Sequence, residues 1–315
     1  MMNRCIIIWL ISCLCVACTG PQARFAYITN QGDSTISVLD IRSAKEIVRI
    51  PVDKAPVGVA VASRIKRVFI SNVEAQTVSV IDGQLQKIVA TIPVKGSPVG
   101  LAVSPDNHRL YVADWFGNRI VAVDTARMQI VGEIQIEKAP AGLVVSPDNV
   151  RLYVANRDSN DVAVIDTVTF KQIRRIAVGH HPFGLTLSQQ GDVLYVVNVY
   201  DNTVSVINTD NWQQHIIKVG EHPYCVTANT QNTRLYVSNT QDDTISVIDT
   251  QSRKVIATID VGMTPEGVSY DAQHDLVLVA NWGDNNVSVI DARMNKVLQT
   301  VKTGDKPRAF GQFID

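Results

Sequence analysis

Short runs of alternating apolar and polar residues fill most of the chain, and one pattern of such runs returns about every 42 residues. The unit that begins at Pro98 shows four of these runs, which we name A, B, C and D. Run A covers residues 102–104 and the few residues before them. Run B covers residues 110–113, run C residues 119–124, and run D residues 129–136. Alternation with a period of two, rich in Val and Ile, predicts strands rather than helices.

A proline just before strand A marks each repeat. The prolines follow one another at intervals of 42 residues, with a single interval of 41: Pro56, Pro98, Pro140, Pro182, Pro223, Pro265 and Pro307. A fixed period of this size is typical of solenoids, propellers and arrays. Four strands per unit, without helical stretches after the N-terminal segment, predict an all-β fold, a seven-bladed β-propeller of four-stranded antiparallel blades.

The phase of the repeat predicts how the ring closes. The pattern begins with a strand B at Phe25 and ends with a strand A after Pro307. Six blades are therefore complete, and the seventh takes strands B, C and D from residues 25–52 and its inner strand A from the C-terminal tail. We expect the two chain ends to pair, and loss of residues 308–315 to unfold the domain.

The N-terminal segment has the features of an export signal. Arg4 lies in a short basic N-terminal stretch, which is followed by an apolar run over residues 5–17. This run is too short for a membrane-spanning helix, which needs roughly 20 residues. Residues 15–18 (Cys-Val-Ala-Cys) are similar to a bacterial lipoprotein signal, with Cys18 as the lipidated residue; plain secretion is the alternative. We expect a signal at residues 1–17, a tether at 18–24, and a propeller at 25–315 anchored in the envelope and facing the periplasm.

Composition narrows the functional classes. The formal net charge is −1, and removal of Arg4 with the signal makes it more negative, which disfavours nucleic-acid binding. Cys225 is the one cysteine far from the signal, and it stands where five other units have glycine. Its thiol is either a ligand or nucleophile, or more commonly a small apolar filler. We expect a monomer, and the residues do not identify a cofactor.

Two polar positions are kept in nearly every unit. Asp or Asn ends each strand C, at Asp40, Asp82, Asp124, Asp166, Asn208, Asp249 and Asp291. Asn ends six of the B strands, at Asn30, Asn72, Asn156, Asn198, Asn239 and Asn281. A side chain that recurs in each blade is expected to build the ring, so we interpret both sets as structural caps.

A binding site is expected where the repeat is broken. The D-to-A and B-to-C connections emerge on one face of the ring, the loop face, and the A-to-B and C-to-D turns on the other, the turn face. Before the repeat proline, three consecutive units have Ala or Ser and the next four have His181, His222, Thr264 and Lys306. After the proline, the same four units have Phe183, Tyr224, Glu266 and Arg308.

These breaks supply six candidate ligand-binding residues near the mouth of the central channel: His181, His222, Tyr224, Glu266, Lys306 and Arg308. Two imidazoles and a carboxylate, from His181, His222 and Glu266, are a ligand set for zinc or a transition metal. The cations of Lys306 and Arg308 suit an anionic ligand instead. A third interpretation is that all six are ordinary solvated loop residues.

Aromatic residues break the pattern on the same face. The B-to-C loops contain Trp115, Phe116, Tyr200 and Trp282. Exposed aromatic side chains are frequent anchors of interfaces, so we expect this rim to dock a partner protein or a flat ligand. The alternative is that they pack against neighbouring loops.

The repeat segments resemble a known family. Residues 152–156 (Leu-Tyr-Val-Ala-Asn) and 202–207 (Asn-Thr-Val-Ser-Val-Ile) are similar to the YVTN-family β-propeller repeat, and the similarity extends over residues 25–315. The resemblance implies an exported bacterial or archaeal propeller, often a lipoprotein, with no single shared activity. Some relatives accompany periplasmic alcohol oxidation that depends on pyrroloquinoline quinone.

We therefore expect a non-enzymatic binding or scaffolding module of the bacterial envelope. Its partner would be a periplasmic or envelope protein or a small anionic ligand, and it would contact the membrane only through its lipid anchor. One alternative is an accessory protein of quinone- or haem-dependent oxidation. The other is a hydrolase or lactonase that uses His181 or His222 as base and positions an anion with Glu266 or Arg308, although motifs such as G-x-S-x-G and H-E-x-x-H are absent.

Overall fold

Seven antiparallel sheets succeed one another along the chain in a computed structural model that describes residues 24–315. Six sheets have four strands in sequence order, and the sheet nearest the N-terminus of the described chain has three. The predicted seven-bladed propeller is confirmed, whereas the expected signal and Cys18 lie outside the described residues. Within residues 24–315, no helix is long and apolar enough to cross a membrane.

The strand bounds agree with the predicted A, B, C and D runs to within a few residues. The A strands are β4 (Pro56–Ala62), β8 (Pro98–Val103), β12 (Pro140–Val145), β16 (Pro182–Leu187), β20 (Pro223–Ala228) and β24 (Pro265–Asp271). The B strands are β1 (Phe25–Asn30), β5 (Arg67–Asn72), β9 (Arg109–Asp114), β13 (Arg151–Asn156), β17 (Val193–Asn198), β21 (Arg234–Asn239) and β25 (Leu276–Asn281).

The outer half of each blade consists of strands C and D. The C strands are β2 (Thr35–Asp40), β6 (Thr77–Asp82), β10 (Arg119–Asp124), β14 (Asp161–Asp166), β18 (Thr203–Asn208), β22 (Thr244–Asp249) and β26 (Asn286–Asp291). The D strands are β3 (Lys45–Pro51), β7 (Lys87–Pro93), β11 (Gln129–Gln135), β15 (Lys171–Ala177), β19 (Gln214–Lys218), β23 (Lys254–Asp260) and β27 (Lys296–Lys302). We number the blades from β4–β7 as blade 1 to the composite sheet as blade 7.

The C-terminal tail completes blade 7, as the phase of the repeat predicts. The N–H of Tyr27 donates to the carbonyl of Phe313 at 2.8 Å, and the N–H of Arg308 donates to that of Thr29 at 2.9 Å. The tail pairs through isolated bridges rather than as a regular strand. It is irregular because it also bonds to blade 1, where the N–H of Val59 donates to the carbonyl of Phe310 at 2.7 Å.

Packing between neighbouring blades holds the ring together. Tyr27, Tyr153 and Tyr236 are fully buried on the B strands of their blades, where they pack between adjacent sheets. Burying a side chain of this size stabilises the fold by roughly 2–3 kcal/mol. The inner strands approach so closely that a Cβ on Gly100 would overlap the carbonyl of Ala141 in the next blade.

The predicted structural caps are confirmed on the turn face. The side chain of Asp82 accepts hydrogen bonds from the N–H groups of Gln84 and Leu85, each at 2.9 Å. The N–H of the third following residue donates in the same way in the other blades, to Asp40, Asp124, Asp166, Asn208, Asp249 and Asp291. These bonds hold the pKa of Asp82 below its usual range.

The Asn side chains at the ends of the B strands also have structural roles. The Nδ2 of Asn72 donates to Thr77 and Ser79 on the neighbouring strand, and the same pair of bonds recurs from Asn30, Asn198 and Asn239. Because the Nδ2 groups of these asparagines bond strand B to strand C, these donors are not available to a ligand.

Candidate functional site

The residue before the repeat proline has a special backbone conformation. His181 and His222 have left-handed φ angles of 56° and 51°. Their N–H groups donate to the side chains of Asn160 and Asn202 in the preceding blade, both at 2.9 Å. The N–H groups of Ala139, Thr264 and Lys306 make the equivalent bonds. Because the backbone makes the bond, the side chain at this position is free to vary.

Two of the candidate residues flank a tyrosine on blades 4 and 5. The ring of His181 stacks on Tyr200 with 4.0 Å between centroids, and Tyr200 lies 5.4 Å from the ring of His222. Burial lowers the pKa of His181, with a further contribution from the charge of Arg157. Its Nδ1 is buried and has no hydrogen-bond partner within residues 24–315. Both effects favour the neutral form of the His181 imidazole.

Glu266 and Arg308 form a buried ion pair on blades 6 and 7. The Glu266 side chain is enclosed, with the residue 6% exposed, and Nη1 of Arg308 lies 3.2 Å from both carboxylate oxygens. Only Oε1 is well placed for a hydrogen bond, which leaves Oε2 without one among the described residues. Burial raises the pKa of Glu266 to about 7, and the charge of Arg308 partly opposes this effect. The Nε of Arg308 donates to Gln31 at 2.7 Å, which fixes the guanidinium group.

Trp282 lies beside this ion pair. The Nζ of Lys306 is 5.4 Å from the ring of Trp282, and the guanidinium carbon of Arg308 is 6.0 Å from it. Cations at this distance from an indole face are attracted to it. The two predicted cations therefore converge on one predicted aromatic residue.

Aromatic side chains surround the mouth of the channel. The ring of Phe183 stacks on Tyr224 at 4.0 Å, meets Phe310 edge-on at 5.1 Å, and lies 6.0 Å from Trp115. We call these four residues and Phe116, which is 78% exposed, the aromatic mouth. Three blades and the C-terminal tail thus contribute to one apolar surface.

A cavity of about 230 Å³ opens at the aromatic mouth. All five residues of the mouth line it, together with Gln31, Val57 and Arg308. A second cavity of about 260 Å³ occupies the channel below, between the inner strands. Phe183 and Phe310 line both cavities and therefore lie where the channel meets the loop face.

The six candidates do not form one cluster. His181 and His222 contact Tyr200, Glu266 and Arg308 pair with each other, and Lys306 lies over Trp282. Tyr224 lies in the aromatic mouth between these groups. Within residues 24–315, no three His, Cys, Asp or Glu side chains are close enough to hold a metal ion, so the geometry gives no support to the metal hypothesis.

Cys225 is buried below the mouth and lines the channel. Burial raises the pKa of its thiol, and the charge of Glu266 raises it further. The group therefore remains a neutral thiol at pH 7, as a packing residue does, rather than a nucleophilic thiolate.

Sequence reasoning missed two residues of this surface. Phe310 stands three residues after Pro307, and the other blades have Val or Leu at the equivalent position. A comparison of the tail with the A strands of the other blades could therefore have identified Phe310. Arg157 lies in a B-to-C loop, with its guanidinium carbon 5.5 Å from the ring of Trp115 and 5.9 Å from that of Tyr200. A lone arginine in a polar loop carries no comparable signal.

Family models match parts of the chain. A YNCE-like β-propeller family matches residues 16–151, and a lactonase, 7-bladed β-propeller family matches residues 118–220. Each match covers less than half of the chain, so both agree with the propeller fold without assigning the chain to either family. No curated protein matches the sequence significantly.

Solved structures share the fold at low sequence identity. Hydrazine synthase of Kuenenia stuttgartiensis is 21% identical over 84% of this chain and 91% of its own, with a TM-score of 0.77. A functionally unknown protein from Desulfotomaculum acetoxidans is 15% identical over 91% and 99%, with a TM-score of 0.79. The dihydro-haem d1 dehydrogenase NirN, solved in complex with DHE, is 18% identical over 88% and 63%, with a TM-score of 0.68. These similarities show the fold alone.

Proposed function

We propose that the protein is a non-enzymatic binding module of the cell envelope, which takes a planar apolar group with an attached anion at the aromatic mouth. The expected export signal supports the location, with Cys18 as the lipid anchor. The repeat segments at residues 152–156 and 202–207 support the finer assignment to YVTN-type propellers. The ligand is a small molecule of this kind or an equivalent segment of an envelope protein.

One observation carries this proposal: a 230 Å³ cavity is lined by five aromatic residues and by the guanidinium group of Arg308. Ligand sites are typically concave and apolar with a few placed polar groups. The aromatic faces supply stacking area for a planar group. Arg308 supplies the charge, because its partner Glu266 has a pKa of about 7 and is partly protonated near neutral pH.

Calorimetric titration with 2-naphthoate tests the proposal, with neutral 2-naphthamide as comparison ligand. We expect naphthoate to bind, and Trp115→Ala to weaken it at least about tenfold through lost stacking. Arg308→Gln should weaken naphthoate while leaving naphthamide unchanged. The matched control is Trp212→Ala, which removes a tryptophan from the C-to-D turn of blade 4, on the turn face. Unchanged naphthoate binding in Trp115→Ala would show that the ligand lies elsewhere.

A protein ligand is tested by capture from periplasmic extract. Tyr200 is 55% exposed and Phe116 is also exposed, so both extend the apolar surface beyond the cavity. We expect the double variant Trp115→Ala/Trp282→Ala to lose partners that the wild type retains. Identical capture by both proteins would count against a docking role of this rim.

The lactonase match over residues 118–220 favours lactone hydrolysis as a second candidate. That segment contains His181, whose Nδ1 is buried without a hydrogen-bond partner among the described residues and whose pKa is lowered by burial, which favours the neutral ring that a general base requires. In this reaction, water adds to the lactone carbonyl carbon, the ring C–O bond breaks, and the leaving oxygen takes a proton. We expect turnover of dihydrocoumarin that His181→Gln abolishes. A wild type without turnover would remove this candidate and leave the binding proposal intact.

A further inference from the structure

One edge of the turn face is unusually basic. Blades 7 and 1 present five cations there: Arg42, Lys45, Arg64, Lys66 and Lys87. Within residues 24–315, none of the five forms an ion pair with a carboxylate. We call this group the basic edge. Its charges are available to an external anionic surface.

The acidic groups near the basic edge are already occupied. Asp82 pairs with Arg67 at 2.8 Å, and Glu46 pairs with Arg49 at 2.8 Å. Asp40 accepts hydrogen bonds from Ser43, and Asp315, which lies close enough to Lys66 for the two charges to interact, accepts the N–H of Phe25 at 2.7 Å. The turns of blades 2, 3 and 4 present further exposed carboxylates at Asp106, Asp148, Asp192 and Asp210, of which the first three also accept hydrogen bonds from serine hydroxyl groups. Positive charge is therefore concentrated on one side of the turn face.

Apolar side chains accompany these cations. Leu85 is 60% exposed and Ile65 is 38% exposed, both on turns of blade 1. A cavity of about 290 Å³ opens between blades 7 and 1 and is lined by Tyr27, Lys66 and Gln86 among others. The Oε1 of Gln86 is buried there without a hydrogen-bond partner among the described residues. Exposed apolar groups between cations are typical of surfaces that lie on lipid headgroups.

The chain enters the ring beside the basic edge. Arg24 pairs with Asp271 at 2.7 Å, and its carbonyl accepts the N–H of Ile41 on the turn face. Cys18, the expected lipidation site, precedes Arg24 by six residues, which span at most roughly 20 Å. An anchor at that position would keep the turn face, and not the loop face, next to the membrane.

We propose that the basic edge docks on an anionic phospholipid surface, so that the turn face lies against the membrane and the loop face points away from it. The sequence alone predicts membrane contact only through the lipid anchor, and this proposal adds the basic edge as a second contact. Cations near such a surface each strengthen binding about fivefold. Stable attachment commonly combines a lipid chain with a basic patch. This orientation leaves the aromatic mouth accessible from the aqueous side.

Vesicle co-sedimentation of residues 24–315 tests the proposal, because the ring closes within those residues and no anchor then contributes. The vesicles contain phosphatidylglycerol in phosphatidylcholine, or phosphatidylcholine alone. The test variant is Arg42→Glu/Arg64→Glu/Lys66→Glu. The matched control, Arg127→Glu/Lys171→Glu/Arg253→Glu, makes the same charge change at three exposed turn-face cations of other blades. Melting curves of all three proteins verify that the fold is kept.

We expect binding to anionic vesicles only, weakened by salt because charges are screened. The partition coefficient should fall about 100-fold in the test variant and less than about tenfold in the control. Equal losses in both variants, or equal binding to neutral vesicles, would contradict the proposal. Absence of wild-type binding to anionic vesicles would also overturn it, and would direct attention to an acidic protein partner.

Discussion

The same repeat forms the turn face and the loop face, but the hydrogen bonds that hold the connections differ between the two faces. On the turn face, side chains such as that of Asp82 bind the backbone of their own turn. On the loop face, the N–H of His222 makes the bond that holds its loop, and the imidazole does not take part. The contrast shows why residue types vary on the loop face: the side chain before the proline can change without loss of the loop.

Removal of residues 308–315 breaks the ring that both faces depend on, and we expect it to have the largest effect. The deletion exposes the partners of Phe310 and Phe313, which are both buried, and removes the pairing with blade 7. The loss should exceed about 5 kcal/mol in the free energy of unfolding. Thermal unfolding followed by circular dichroism measures it, with Gln312→Ala as control. A truncated protein with the wild-type melting temperature would refute the composite closure.

Glu266 is a loop-face side chain whose protonation makes the free energy of unfolding depend on pH. Its folded pKa of about 7 lies above the usual value of 4.5, so its contribution is fully present below pH 4.5 and is lost as the pH rises through 7. We expect the unfolding free energy to fall by an amount on the order of 3 kcal/mol over this window. Denaturant titrations at a series of pH values should show that Glu266→Gln lacks this decline. Parallel profiles for both proteins would contradict the assignment.

The contrast between the faces is tested directly by two alanine variants. Asp82→Ala removes the acceptor of two backbone N–H groups on the turn face and should cost about 1 kcal/mol. Lys306→Ala leaves the equivalent loop-face bond intact, because its backbone N–H makes it, and should change stability by less than about 0.5 kcal/mol. Chemical denaturation of both variants checks the difference. Similar losses at the two positions would show that the loop-face side chain is structural.

Cys225 gives the smallest expected effect. Its raised thiol pKa and its burial predict slow modification by a disulfide reagent in the folded protein and rapid modification in denaturant. Cys225→Ala should retain ligand binding. A fast-reacting thiol in the folded protein would mean that the channel admits reagents, contrary to the burial of Cys225.

The fold could be predicted from the sequence almost completely, because each blade repeats the same strand pattern and the prolines keep its phase. The composite blade followed from the positions of Phe25 and Pro307. The site was predicted only in part. The breaks in the repeat identified Glu266 and Arg308, but their direct pairing depends on where two different blades bring their side chains. Side chains that meet across blades, such as Phe310 and Phe183, have no signature in either repeat alone.

The composite seventh blade also sets the timing of folding. The carbonyl of Phe25 accepts the N–H of Asp315 at 3.1 Å, so β1 bonds with a residue 290 positions further along the chain. At ordinary rates of synthesis, β1 waits roughly 15–60 s for its inner partner. Contacts of such long sequence separation form slowly. A chain that ends early has no means of closing, and it leaves the edge of β1 open to pairing with other chains.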